Sequence, residues 1–158
     1  MTDPTDRDLW FEDFAPGQVF RTESATVTEG MILDFAQRWD PQSFHMDVGA
    51  AAESQFGGLI SSGFQTLLIA FRLWHALRVG NPSSQGSPGM EEVRWLAPVR
   101  PGDSIRDEVT VVAARVSASR PGLGLVTWRH DVYNQRDEKV LTWTGPVFHR
   151  LRPDAPPD

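Results

Sequence analysis

Residues 62–78 read SGFQTLLIAFRLWHALR, and this stretch decides the fold. Phe64, Leu67, Leu68, Phe71 and Trp74 recur at helical spacing, so a helix is expected over 62–78. Leu73, Ala76 and Leu77 add apolar residues on its other faces, and a helix apolar over so much of its circumference is expected to be widely buried. After it the pattern changes. Residues 91–98, 104–117, 124–134 and 139–150 are rich in Val, Thr, Trp and Phe and read as strands. Pro101-Gly102-Asp103, Arg120-Pro121-Gly122 and Gln135-Arg136-Asp137 break them as turns. Strands this long form an antiparallel sheet whose apolar face needs a cover, and 62–78 is the one element long enough, at about 1.5 Å per residue. The expectation is an α+β domain, with one long central helix wrapped by a curved antiparallel sheet.

Before that helix, residues 18–26 read as a strand. Thr28 is a plausible N-cap for a helix carrying Met31, Ile32, Phe35 and Trp39, and Pro41 stops it. A short helical turn is expected near 49–53, then the loop FGGLISSG at 56–63, and a second loop, GNPSSQGSPG, at 80–89. Residues 1–7 and 153–158 read as flexible tails, because neither buries enough apolar surface to offset its ordering entropy. The domain is expected over 8–152.

With 158 residues, one domain is the natural expectation, and 40% hydrophobic with 23% charged residues is ordinary for a globular chain. There is no cysteine, which excludes disulfides, thiolate metal sites and a cysteine nucleophile. The formal net charge is −6, and the 15 basic residues, all arginine but Lys139, form no cluster. Nucleic-acid binding is therefore not expected. Neither a signal peptide nor a membrane span is legible, so the expected location is cytoplasmic. The histidines at 75, 130 and 149 lack metal-ligand spacing, and no metal site is expected.

The segment that carries chemistry is DPQSFHMD at 40–47. It places a carboxylate, Asp40, and an imidazole, His45, five residues apart in a loop held by rigid flanks. Such a pair can share one water, and histidine can both take and give a proton near neutral pH. The same residues are open to a plainer role, Asp40 capping the turn and His45 a satisfied, partly buried side chain. Ser61-Ser62-Gly63 opens the central helix, where free amides and the helix dipole favour negative charge. There too a plainer role is open: Ser62 an N-cap and Gly63 a close-packing residue.

The chain resembles the MaoC-like dehydratase family, which includes the R-specific enoyl-CoA hydratases. Residues 39–47, WDPQSFHMD, resemble the family's G-D-x-N-P-[apolar]-H-x-D motif, and residues 94–103 resemble its strand and turn after the central helix. The resemblance implies a single hot-dog domain over about 11–150. It places Asp40 and His45 on the catalytic pair and Gly63 on an oxyanion-type backbone donor. Ser62 stands where a histidine is often seen, and Gln42, with Ser43, replaces the motif's Asn and Pro but can still position a substrate. Trp39, in place of glycine, with Phe44 and Phe56, is expected to line the pocket.

The implied reaction is reversible addition of water to a trans-2-enoyl thioester, with Asp40 expected to take the water proton and His45 to deliver one to the α carbon. No cofactor is expected beyond the CoA or acyl-carrier thioester of the substrate, and a homodimer is implied. Two other readings stand beside it. A thioesterase on the same fold is disfavoured because residues 64–78 hold no Asp or Glu. A non-catalytic acyl-thioester-binding protein is kept open by the motif departures at 39, 42 and 43.

Overall fold

A computed structural model describes residues 8–153. The expected tails, 1–7 and 153–158, lie outside it apart from Pro153. In chain order the elements are β1 (Val19–Arg21), β2 (Ala25–Thr26), α1 (Glu29–Trp39), α2 (Ser43–Met46), α3 (Val48–Glu53) and α4 (Gly63–Ala76). They are followed by β3 (Glu91–Trp95), β4 (Ser104–Val116), β5 (Leu123–Tyr133) and β6 (Lys139–Arg150). The strands form an antiparallel sheet in the order β1-β4-β5-β6-β3, and β2 also pairs with β4.

Alternation decides which sheet face is covered. Along β4, Ile105, Asp107, Val109 and Val111 are buried, and along β5 Val126, Trp128, His130 and Val132 are. The long helix α4 closes that face with Ala70 and Trp74. Ala70 joins Ile105, Val132, Leu141 and Trp143 in one core cluster, and Trp74 joins Val109, Val126 and Trp128 in another. This is the hot-dog arrangement that the resemblance implies, a mixed α+β fold of one central helix on an antiparallel sheet.

Several expectations are corrected. The expected strand over 18–26 is two short strands, broken where the Thr22 hydroxyl accepts from the Asp107 amide. Thr28 does cap α1, accepting from Met31 N at 3.2 Å. The buried face of α1, however, is Ile32 and Ala36, not the stripe through Met31 and Trp39. The central helix is not buried all round: Phe64 is 62%, Leu68 53% and Phe71 43% exposed. These residues, three or four apart, form one exposed apolar stripe along the helix.

Candidate active site

Pro41 ends α1, so the chain leaves the helix at Asp40, whose amide still bonds to the Ala36 carbonyl. Residues 40–47 are not wholly irregular: residues 43–46 form α2, one short turn of helix. That turn places His45 inward, 4% exposed. The 54–62 segment passes beside it, joined by the Ile60 amide to the Phe44 carbonyl and the Ser61 amide to the Val99 carbonyl.

The result brings Asp40 and His45 together. His45 Nε2 lies 3.4 Å from Asp40 Oδ2. His45 Nδ1 lies 2.8 Å from the Ile60 carbonyl oxygen. A carbonyl only accepts, so Nδ1 carries the hydrogen, and in the neutral ring Nε2 presents a lone pair. Asp40 is held from both sides. The Ser62 hydroxyl donates to Oδ2 at 2.7 Å and the Gln42 amide donates to Oδ1 at 2.8 Å. Burial pushes the Asp40 carboxyl up, but the bonds from Ser62 and Gln42 and the nearby His45 ring outweigh it, and the carboxyl sits below its ordinary value. Asp40 is thus an ionised acceptor beside an imidazole lone pair. A water between them would donate to both, leaving its oxygen lone pairs free.

This pair opens on a cavity of about 490 Å³, walled by Phe44, Phe56, Gly63, Phe64, Trp95 and Val140 among others. Phe44 packs edge-on to His45 at 4.6 Å between centroids and leans on Phe56 at 5.1 Å. The Arg100 guanidinium donates to the Phe56 carbonyl and so pins the loop that carries it. Gly63 opens α4, so its amide lies outside the helix's own hydrogen-bond ladder. A Cβ built there would sit 2.4 Å from Trp95 Nε1. Glycine is therefore required by the close approach of the β3 indole.

Of the residues singled out from sequence, Asp40, Gln42, His45, Gly63, Phe44 and Phe56 meet at this cavity. Two do not. Trp39 is 74% exposed and is no part of the wall, because burial along α1 stops at Ala36 and the last helical residue projects past the packed surface. Ser62 is fully buried; it makes no side-chain cap to α4, and its hydroxyl is turned to Asp40 rather than into the cavity.

Gln65 escaped the sequence reading, and Ser61, named there with the helix start, lines the cavity and bonds to Gln65. The Ser61 hydroxyl donates to Gln65 Oε1 at 2.7 Å, and Gln65 Nε2 donates to the Met31 carbonyl at 2.8 Å, which ties the start of α4 to α1. A buried-face glutamine at that helix's start, among apolar neighbours, was the available signal. Trp95, another wall residue, lay inside the segment at 94–103 that carried the family resemblance.

Residues 13–134 match the MaoC like domain. The chain belongs to that family. A protein of Bacillus subtilis with no assigned function, YdeM, is 35% identical over 130 residues, 82% of this chain and 91% of its own length. A MaoC-like dehydratase of Rhodospirillum rubrum is similar in structure, with a TM-score of 0.82 and 40% identity, covering 92% of this chain and 99% of that one. Mesaconyl-CoA hydratase of Cereibacter sphaeroides is 41% identical over 92 residues, 57% of this chain, and this chain spans only 26% of that enzyme's length.

Proposed function

We propose that this protein is a hydratase/dehydratase that reversibly adds water to a trans-2-enoyl thioester, an enoyl-CoA or its acyl-carrier counterpart. The observation that carries the reading is the facing of His45 Nε2 and Asp40 Oδ2 at 3.4 Å, both as acceptors, at the mouth of an apolar cavity. The family membership and the hydratase among the relatives support it.

The hydrogen bonds on Asp40 favour the opposite proton order to the one expected from sequence. With both oxygens already accepting from Ser62 and Gln42, Asp40 is the weaker base. In this reading Asp40 orients the water and His45 Nε2 takes its proton as oxygen bonds to the β carbon. The double-bond electrons move toward the thioester oxygen, which the Gly63 amide and the α4 dipole favour. The imidazolium, steadied by the Asp40 carboxylate, then returns its proton to the α carbon. One water is added, and the step calls on no cofactor. Each general acid–base contribution is worth about 10²–10⁴-fold.

The exposed stripe of Phe64, Leu68 and Phe71, beside Trp95 and Leu96 at the open edge of the sheet, supports a second copy of the chain as the covering partner. The reaction is tested by incubation with crotonyl-CoA and mass analysis. Hydration gives a product one water heavier with no free thiol. Release of free CoA thiol instead would establish hydrolysis of the thioester and overturn the reading.

A further inference from the structure

The end of α4 remote from Asp40 walls a second cavity, of about 340 Å³, which shares no lining residue with the first. Its walls include Phe71, Trp74, Trp128, Trp143 and Val147. The three indoles are nearly buried, at 8%, 2% and 3% exposed. Such walls offer flat faces and polarised edges, which favour another ring. No aspartate or glutamate lines this cavity.

Polar groups interrupt the apolar wall: His75, Asn81, Ser84, Ser87 and His149 line it and, packed against the indoles of Trp74 and Trp143, so does His130. His130 is 4% exposed and sits on the helix-facing side of β5, where the alternation calls for an apolar residue. Its ring stacks on Trp143 at 4.0 Å and 7°, and Trp74 meets it edge-on at 5.8 Å. Its Nδ1 lies 2.7 Å from Asp107 Oδ2, and Asp107 is fully buried on the neighbouring strand. Nε2 has no hydrogen-bond partner among the described residues, and the ring lines the cavity.

The state of this pair follows from its burial. Charge held out of water is costly, so the pair favours its net-neutral forms. Burial pushes the Asp107 carboxyl up, in the same sense. A protonated Asp107 donates to Nδ1, and the neutral ring then carries its hydrogen on Nε2. In that form the cavity meets a donor, fixed by stacking and backed by a carboxyl group.

We propose that this second cavity is a binding site for a flat, ring-bearing molecule carrying one hydrogen-bond acceptor oxygen, which His130 Nε2–H recognises while Asp107 holds the imidazole in place. The site is separate from the Asp40–His45 pair and does not depend on its chemistry.

Acetophenone and ethylbenzene test it, because they share a ring and nearly a shape and differ in the acceptor oxygen. The full chain, labelled with ¹⁵N-histidine, is titrated with each while the imidazole nitrogens are followed by long-range ¹H–¹⁵N correlation. The expected result is that acetophenone moves His130 Nε2 and leaves His45 unmoved. It should bind about tenfold more tightly than ethylbenzene, the worth of one such bond to a buried polar group. An Asp40→Asn protein should respond in the same way. Replacing both partners, Asp107→Leu with His130→Phe, should abolish the preference for the ketone. If that variant does not fold, the wild-type titration decides alone. Equal affinity for the two probes, a still His130, or movement of His45 in its place would each overturn the proposal and leave the Asp107–His130 pair a structural feature of the sheet.

Discussion

The Ser62 hydroxyl donates to Asp40 Oδ2 at 2.7 Å, across 22 residues of chain. This one bond ties the start of the central helix to the end of α1 and helps keep the Asp40 carboxyl ionised against its burial. Ser62 acts through Asp40 and is a positioning residue.

Ser62→Ala should therefore raise the Asp40 pKa and weaken its hold on the water. A bond to a charged group is worth about 1.5 kcal/mol at the low end, so turnover at neutral pH should fall about tenfold. Carboxyl ¹³C titration of Asp40, measured beside steady-state turnover, checks this. A fall in turnover with the Asp40 titration unmoved would mean that the hydroxyl does not tune Asp40.

Gly63→Ala places a methyl against the Trp95 indole, where the nearest atom is 2.4 Å from the ideal Cβ position. The indole must shift, and overpacking of this kind costs about 1–3 kcal/mol. Thermal unfolding should show the loss, and adding Trp95→Ala should recover most of it, because the two residues share one contact. An additive double variant would contradict this packing.

Asp40, His45 and Gly63 were singled out from short local patterns, a loop stopped by proline and a glycine at a helix start, and they meet at one cavity. The helix at 63–76 and the long strands were legible for the same reason, since spacing of 3.6 or 2 is a local property. What failed depended on register or on the third dimension. Trp39 shares a helical pattern with Ile32, yet packing on α1 stops before it. The contact between Asp107 and His130 exists because Val109 pairs with His130 and Asp107 with Val132. A diagonal neighbour of that kind is set by strand register. The sequence did carry a trace of it: Ile105-Asp107-Val109 and Trp128-His130-Val132 each put a polar residue where the alternation calls for an apolar one.

His149 gives the protein a stability loss on the acid side. It is buried, and burial lowers its pKa from 6.5 to about 4. The folded form therefore resists a proton that the unfolded chain accepts. This stabilisation is fully present above the unfolded value and is lost as pH falls from 6.5 toward 4. At about 1.4 kcal/mol per unit, the loss is on the order of 3 kcal/mol. Urea unfolding at pH values across that window should show it in the wild type, and His149→Phe should flatten the slope. An unchanged slope in the variant would assign the loss to other groups.

The stripe on α4 should hold two copies together. Leu68 and Phe71 are half exposed in the single chain. Sedimentation should find the wild type as a dimer at micromolar concentration, and Leu68→Glu with Phe71→Glu should shift it toward monomer. A monomeric wild type would leave the stripe without the partner proposed for it.

The central claim is that Asp40 and His45 activate one water for addition to an enoyl thioester. Hydration of crotonyl-CoA by the wild type and by Asp40→Asn, measured side by side, tests it most directly. The substitution keeps the shape of the side chain and removes its charge. Turnover in the wild type that falls by about 10²-fold or more in the variant, with both proteins folded, is the predicted result. A variant that hydrates the thioester at the wild-type rate would contradict the account.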